Sequence, residues 1–337
     1  MRERQLIELI ARRCGPPRDR RVLRGIGDDA AVVAAKPVCV ISTDSLVEDV
    51  HFTLSHYTPA EIGHKALATA LSDLAAMGAE VGEAYLALAL PGRLREEFSR
   101  ELIDGVVDLA ENHGVTIAGG DVVDSSALAL TVTVVGWAEN PERLVYRDGA
   151  RQGQRVGVTG TLGAAGAALL LESYDHEPPI PLAADQRRAL EQRLKRPRPR
   201  LREGLLLAES GASAMIDLSD GLASDARQLA QRSGVRLHID LAALPLAAGV
   251  REVAAARGLA AEELAATAGE DYELLFTVDD RRVAEVEQAL AAADCPVTWV
   301  GAVEVGTGVV FFDASGHCRC DLHGFEHGRV AAKPERD

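Results

Sequence analysis

Four segments of this chain bring aspartate to a turn beside small or apolar residues. They are Gly25-Ile26-Gly27-Asp28-Asp29, Ser42-Thr43-Asp44, Gly119-Gly120-Asp121 and Ile216-Asp217-Leu218-Ser219-Asp220-Gly221. In each, an apolar strand or turn is expected to deliver the carboxylate where regular structure stops. A fifth, Asp73, lies inside the helical run LATALSDLAAMGAE, although Asp competes for the backbone and is a poor interior helix residue. Taken singly, such residues are turn formers. Taken together they are hard oxygen donors of the kind Mg²⁺ prefers, with positions left open for phosphate oxygens and water. Several ions held this way would neutralise a triphosphate and align its attacking and leaving oxygens.

Composition sharpens this reading. The 337 residues carry a net charge of −15, which excludes a nucleic-acid partner, since phosphates demand a basic face. An acidic protein that takes a phosphorylated substrate must place cations between its carboxylates and the phosphates. Hydrophobic residues at 47% and charged residues at 26% describe a globular chain. No apolar run reaches the ~18 residues of a membrane span. The start, MRERQLIELIARR, alternates charge and apolar residues at helical spacing and is unlike a signal peptide. A cytoplasmic protein without a membrane partner is expected. The five cysteines are too few and too irregular for a disulfide framework. Cys318 and Cys320 lack the second pair that a zinc site needs.

The length suggests two domains, and strands alternate with helices throughout, an α/β or α+β pattern. Strands are expected at 38–43, 84–90, 115–120, 127–137, 154–160, 235–241, 272–278 and 297–305, and 213–221 is expected to be a short strand running into a loop. Thr58-Pro59 caps a helix over 59–79. Further helices are expected at 94–112, after Gly163, within the region opened by RPRPRLREG (196–204), and beyond the 213–221 segment through about 232. The boundary falls near 140–150, dividing the chain into 1–145 and 146–337.

Familiar nucleotide signatures are missing. There is no G-x-x-x-x-G-K-[ST] and no protein-kinase motif set. The run Gly160-Thr161-Leu162-Gly163-Ala164-Ala165-Gly166 follows a strand and opens a helix, but close strand–helix packing explains it as well as a phosphate cradle does.

The segments GIGDDAAVV, ISTDSLVEDVHF, KALATALSDLAAMGAE, GGD, TVTVVG, VTGTLG, MIDLSDGLASD and GEDYELLFTV resemble, in order, those of the thiamine-monophosphate kinase family. That family belongs to the aminoimidazole-ribonucleotide-synthetase-like superfamily, and the resemblance runs from about residue 25 to 327. It implies a two-domain fold with an N-terminal sheet domain that dimerises and a C-terminal α/β domain. It also implies transfer of the γ-phosphoryl group of ATP to thiamine monophosphate, assisted by several Mg²⁺ ions, with active sites near the interface of a homodimer. Carried over by motif, Asp29, Ser42, Thr43, Asp44, Asp73, Asp121, Asp217 and Asp220 are metal ligands. Gly120, Arg147 and Ser219 contact ATP, and His51, Glu270 and Phe325 face the thiamine substrate.

Elementary chemistry agrees with several of these roles. Arg147 offers a fixed fork for phosphate, though a solvated linker arginine would look the same. Phe325 could stack on an aromatic ring. Asp271 is expected to cap the turn before its strand. Lys65, one of four lysines against 32 arginines, is expected on a helix surface. Three departures from the family pattern stand out: Ala268 replaces a glycine, Val122-Val123 replace threonines, and Gly324-Phe325-Glu326-His327-Gly328 matches the family's ending only loosely.

An acceptor that is already a phosphate needs no strong general base, so positioning and charge neutralisation suffice. No Ser-His-Asp or Cys-His set suggests covalent catalysis. The alternatives are another ATP-using synthetase of the superfamily, an aspartate-rich metal phosphohydrolase, and a non-catalytic nucleotide binder.

Overall fold

The computed structural model describes residues 3–173 and 180–325. In the first half α1 (Glu3–Cys14), β1 (Val22–Arg24), β2 (Val32–Val33), β3 (Val38–Val47), α2 (Pro59–Met77) and β4 (Glu80–Pro91) follow in order. They lead to α3 (Glu96–His113), β5 (Thr116–Ser125) and β6 (Ala129–Ala138). The second half opens with β7 (Arg155–Thr159), α4 (Ala164–Ser173), α5 (Ala184–Lys195), α6 (Leu201–Glu209), β8 (Ala214–Asp217) and α7 (Leu222–Ser233). Next come β9 (Arg236–Asp240), α8 (Val250–Ala256), α9 (Ala261–Thr267), β10 (Leu274–Val278) and α10 (Val283–Ala291). The last described strands are β11 (Val297–Glu304), β12 (Gly308–Phe312) and β13 (Cys318–Arg319). Among these residues no helix is long and apolar enough to cross a membrane.

Two sheets carry the architecture. A four-stranded sheet runs β3-β6-β4-β5, antiparallel except between β4 and β5. A seven-stranded sheet runs β13-β12-β9-β11-β7-β10-β8, with only β12 and β9 parallel among the pairs formed. The mixed α/β architecture expected from the alternation is therefore present.

Helix α2 joins the halves. Thr58 and Glu61 form a reciprocal capping box at its start, Pro59 takes the first turn, and Gly78 ends it in the left-handed conformation. It packs on β3 and β6 of the first sheet and on β8 and α6 of the second half. Thirteen of its nineteen residues are buried, so it is a core helix and not an amphipathic surface one. Close crossing with α3 depends on glycine: a Cβ on Gly63 would lie 2.0 Å from the Leu102 carbonyl oxygen, and one on Gly105 2.0 Å from that of Ala60.

The strand expected at 38–43 continues to Val47 because its alternation continues. Val40, Ser42, Asp44 and Leu46 turn toward the helices, while Cys39, Ile41, Thr43 and Ser45 face outward and are exposed. The sequence reading places no element at β1, β2, α5, α8, α9, α10, β12 or β13. Helix α5 buries only Leu190 and Leu194, too sparse a pattern to register as periodic.

Candidate active site

The aspartates do not all sit where regular structure stops. Asp44 lies within β3, opposite Val132, and Asp121 lies within β5, opposite Ala87. Both strands are sheet edges; Asp121 is exposed, whereas Asp44 is half-buried on the helix-covered face. Asp217 does end its strand, and Asp29 and Asp220 do lie outside regular structure.

On the helix-covered face, four elements converge. Ser42 Oγ donates to Asp73 Oδ2, tying β3 to α2. Ser72 Oγ donates to Asp217 Oδ2 at 2.8 Å, tying α2 to the end of β8. Burial raises the Asp44 carboxyl to about 6, with the Asp73 charge adding to it. Burial likewise raises Asp217, helped by Asp73 and Asp44 and opposed by the Ser72 hydrogen bond and the Arg147 charge. Asp225, in the first turn of α7, accepts from the Asp220 amide at 3.1 Å. Burial, followed by Asp217 and Asp220, pushes it up to about 8. These carboxylates therefore lie within one another's fields and are short of positive charge. The cation whose charge opposes the rise at Asp217 and Asp225 is Arg147, whose Nη1 donates to Gln228 at 2.9 Å. With Ser42, Asp73 and Tyr146 it lines a hollow of about 410 Å³.

The other predicted ligands lie elsewhere. Asp44 aligns across the sheet with Val132, Leu86 and Gly120, so three strand spacings, about 14 Å, separate the two edges. Asp121 is exposed and pairs with Ala87 on the open face, the face to which Thr43 also points. Thr43 Oγ1 is in hydrogen-bond contact with Thr133 Oγ1 at 2.9 Å on that face. Its side chain is thus directed away from Asp44. Asp29, Gly120 and Asp121 line a separate hollow of about 630 Å³. A Cβ on Gly120 would sit 2.0 Å from the Leu86 carbonyl oxygen, which explains the glycine without any ligand.

The residues expected at the acceptor do come together. His51, Glu270 and Phe325 line a cavity of about 300 Å³ with Asp44, Ser219 and Asp220 at its acidic end. His51 Nδ1 accepts from the Val47 amide at 3.1 Å, which leaves Nε2 as the protonated nitrogen of the neutral ring. The Phe325 amide donates to the Asp220 carbonyl at 2.8 Å, and its ring is 55% exposed. The remainder of that loosely matched ending, Glu326-His327-Gly328, lies outside the described residues. Glu270 and Tyr272 adopt positive φ of 65° and 50°, a cost for non-glycine residues. They are held there by amide bonds to the Ser219 and Leu218 carbonyls.

Two expectations need correction. Asp271 does not cap its own turn: its buried carboxylate accepts the Gly163 amide at 2.9 and 3.1 Å, so it caps α4 from a distant segment. That contact gives the glycine run a packing role. Lys65 is not on a surface. It is 1% exposed and its Nζ reaches Glu270 at 2.9 Å inside the cavity. Only the burial of α2 on every side could have revealed this, and its alanine-rich sequence hints at such burial.

Residues 27–138 match the AIR synthase related protein N-terminal domain, and 151–313 match its C-terminal domain. The thiamine-monophosphate kinase of Bacillus subtilis (strain 168) is 35% identical over 288 residues, 84% of this chain and 86% of that protein. The chain belongs to this family. A crystal structure of thiamine-monophosphate kinase from Stenotrophomonas maltophilia K279a superposes with a TM-score of 0.83 at 34% identity, covering 93% of this chain and 96% of that one. A structure of AaThiL complexed with AMPPCP and TMP gives 0.76 at 34% identity, covering 97% and 99%. For the thiamine-monophosphate kinase family, then, the two-domain fold inferred from the ordered motifs holds for this chain.

Proposed function

We propose that this protein transfers the γ-phosphoryl group of ATP to the phosphate of thiamine monophosphate, in line and without a phosphoenzyme. An acceptor phosphate oxygen attacks the γ phosphorus, the bond to the β-phosphate oxygen breaks, and ADP leaves with thiamine diphosphate formed. One observation carries the reading: Asp44, which lies in the field shared with Asp73 and Asp217, also lines a cavity of small-molecule size together with Asp220, His51, Glu270 and Phe325. The ligands of the AaThiL complex, AMPPCP and TMP, and the relatives' kinase names support it.

The carboxylates suit Mg²⁺. They offer only hard oxygen donors, and burial followed by neighbouring carboxylates raises the proton affinity of Asp44 and Asp217. Among the described residues no three His, Cys, Asp or Glu close around one point. Mg²⁺ keeps several waters and shares substrate phosphates, so it needs no all-protein cage. Asp29, Ser42, Thr43, Asp44, Asp73, Asp121, Asp217 and Asp220 would hold several such ions, Thr43 through its main chain. When bound, they would neutralise phosphate charge. Gly120, Arg147 and Ser219 bind ATP, and Arg147 sets the charge balance of the cleft. His51, Glu270 and Phe325 orient the thiamine moiety. A cytoplasmic location agrees with an ATP-dependent step.

A homodimer accounts for the separation of Asp44 from Asp121. The open face, bearing exposed Ile41 and Val123, is where a second copy would pack, bringing Asp29, Gly120 and Asp121 of one chain to the cleft of the other. Asp44→Asn and Asp121→Asn are each expected to be inactive alone. Co-expressed, half of the dimers are mixed and each keeps one intact site, so roughly a quarter of the activity should return. No recovery in verified mixed dimers would place all the aspartates in one chain's site.

The activity itself is tested by incubating the protein with ATP and Mg²⁺ and with thiamine monophosphate, thiamine or no acceptor. Thiamine diphosphate formed only from the monophosphate is expected. Phosphate release without acceptor would favour a hydrolase and overturn the reading.

A further inference from the structure

Lys65 is among the largest fully buried side chains in the described structure, and it belongs to none of the roles above. An ammonium taken out of water needs an anion and hydrogen-bond acceptors around it. Here Nζ lies 2.9 Å from the Glu270 carboxylate and 3.3 Å from the Tyr57 hydroxyl. It also stands over the Tyr57 ring at 5.2 Å, with Lys195 at 5.4 Å from the same ring. Tyr57 is therefore fixed by two cations. Both Lys65 and Thr69, one turn further along α2, line the acceptor cavity.

Glu270 needs such an anchor. Its backbone is left-handed, its amide is tied to Ser219, and its side chain is partly open to the cavity. Nothing on its own loop aims the carboxylate. The Lys65 contact does so, and the ammonium charge cancels that of the carboxylate. The pair then presents fixed oxygen acceptors to N–H donors without adding net negative charge close to an incoming phosphate.

We propose that Lys65 is a positioning residue of the acceptor pocket: it holds Glu270 as a neutralised hydrogen-bond acceptor for an amine-bearing heterocycle. This deepens the kinase reading and rests on it.

The test is kinetic. Lys65→Met is expected to raise the KM for thiamine monophosphate about 10- to 100-fold, the range for losing a hydrogen bond to a charged group. The KM for ATP should stay within about twofold, because the nucleotide contacts proposed above lie outside this pair. Glu270→Gln should raise the acceptor KM similarly, and the double variant should be no worse than the poorer single one, since both changes remove one unit. Lys65→Arg keeps the cation and should recover most of the affinity. If Lys65→Met does not fold, Lys65→Gln serves the same comparison. An unchanged acceptor KM, equal increases for both substrates, or multiplicative effects in the double variant would overturn the proposal. Wild-type protein without turnover of thiamine monophosphate would instead overturn the kinase reading, and this inference with it.

Discussion

Asp44→Asn is expected to lower turnover roughly 10²- to 10³-fold, the scale for losing one preorganised electrostatic group, while making the metal-free protein more stable. The two effects share a cause. Burial and the neighbouring Asp73 hold the Asp44 carboxyl at about 6, above the ordinary aspartate value of 3.8. The folded state thus keeps a proton that the unfolded chain has released, so stability falls as pH rises from about 4 to about 6. Above that window the ionised group opposes folding, and asparagine removes the cost. After allowance for solvent screening, a gain of about 1–2 kcal/mol at pH 7 is reasonable. Thermal unfolding in chelator should show the gain. Added Mg²⁺ should raise the Tm of the wild type and shift the variant less. A variant with near-normal turnover at saturating Mg²⁺ would remove Asp44 from the metal site.

Glu273→Leu should produce the largest loss of stability. Glu273 is fully buried and accepts from Arg200 Nε at 2.7 Å, from Arg193 Nη2 at 2.6 Å and from Thr159 Oγ1 at 2.7 Å. These bonds fasten the α5–α6 connection onto the strand that follows the Gly269–Tyr272 loop. Gly160 exists to admit the carboxylate, since a Cβ there would lie 2.3 Å from Oε1. Removing the anion leaves two guanidinium groups without it, one of them buried, and breaking such a pair costs about 3–5 kcal/mol. The Tm should fall by several degrees. Restoring charge balance with Arg200→Met in the same chain should recover part of the loss. A cost below about 1 kcal/mol in urea unfolding would show the network to be relaxed by solvent.

Much of the molecule was legible from local chemistry. The strand patterns in 38–43 and 127–137, the Thr58-Pro59 start and the glycine stops depend on neighbours in sequence, and elements formed there. The aspartates could be named because each sits in a short motif. The acceptor trio of His51, Glu270 and Phe325 could be named only through family resemblance, since 219 positions separate His51 from Glu270 and no periodicity links them.

What the sequence determined by itself, then, was an acidic two-domain α/β chain with hard-oxygen donors expected where strands and turns end. The tertiary structure decided which of those ligands share a face. Side chains alternate across a strand, so Ser42 and Asp44 meet Asp73 while Thr43 turns away, and a four-stranded width sets Asp121 about 14 Å from Asp44. It also decided the charge on the acceptor pocket, because Lys65 acquires its partner only when α2 is enclosed by both halves. Register and enclosure are properties of packing between distant segments, and no local pattern encodes them.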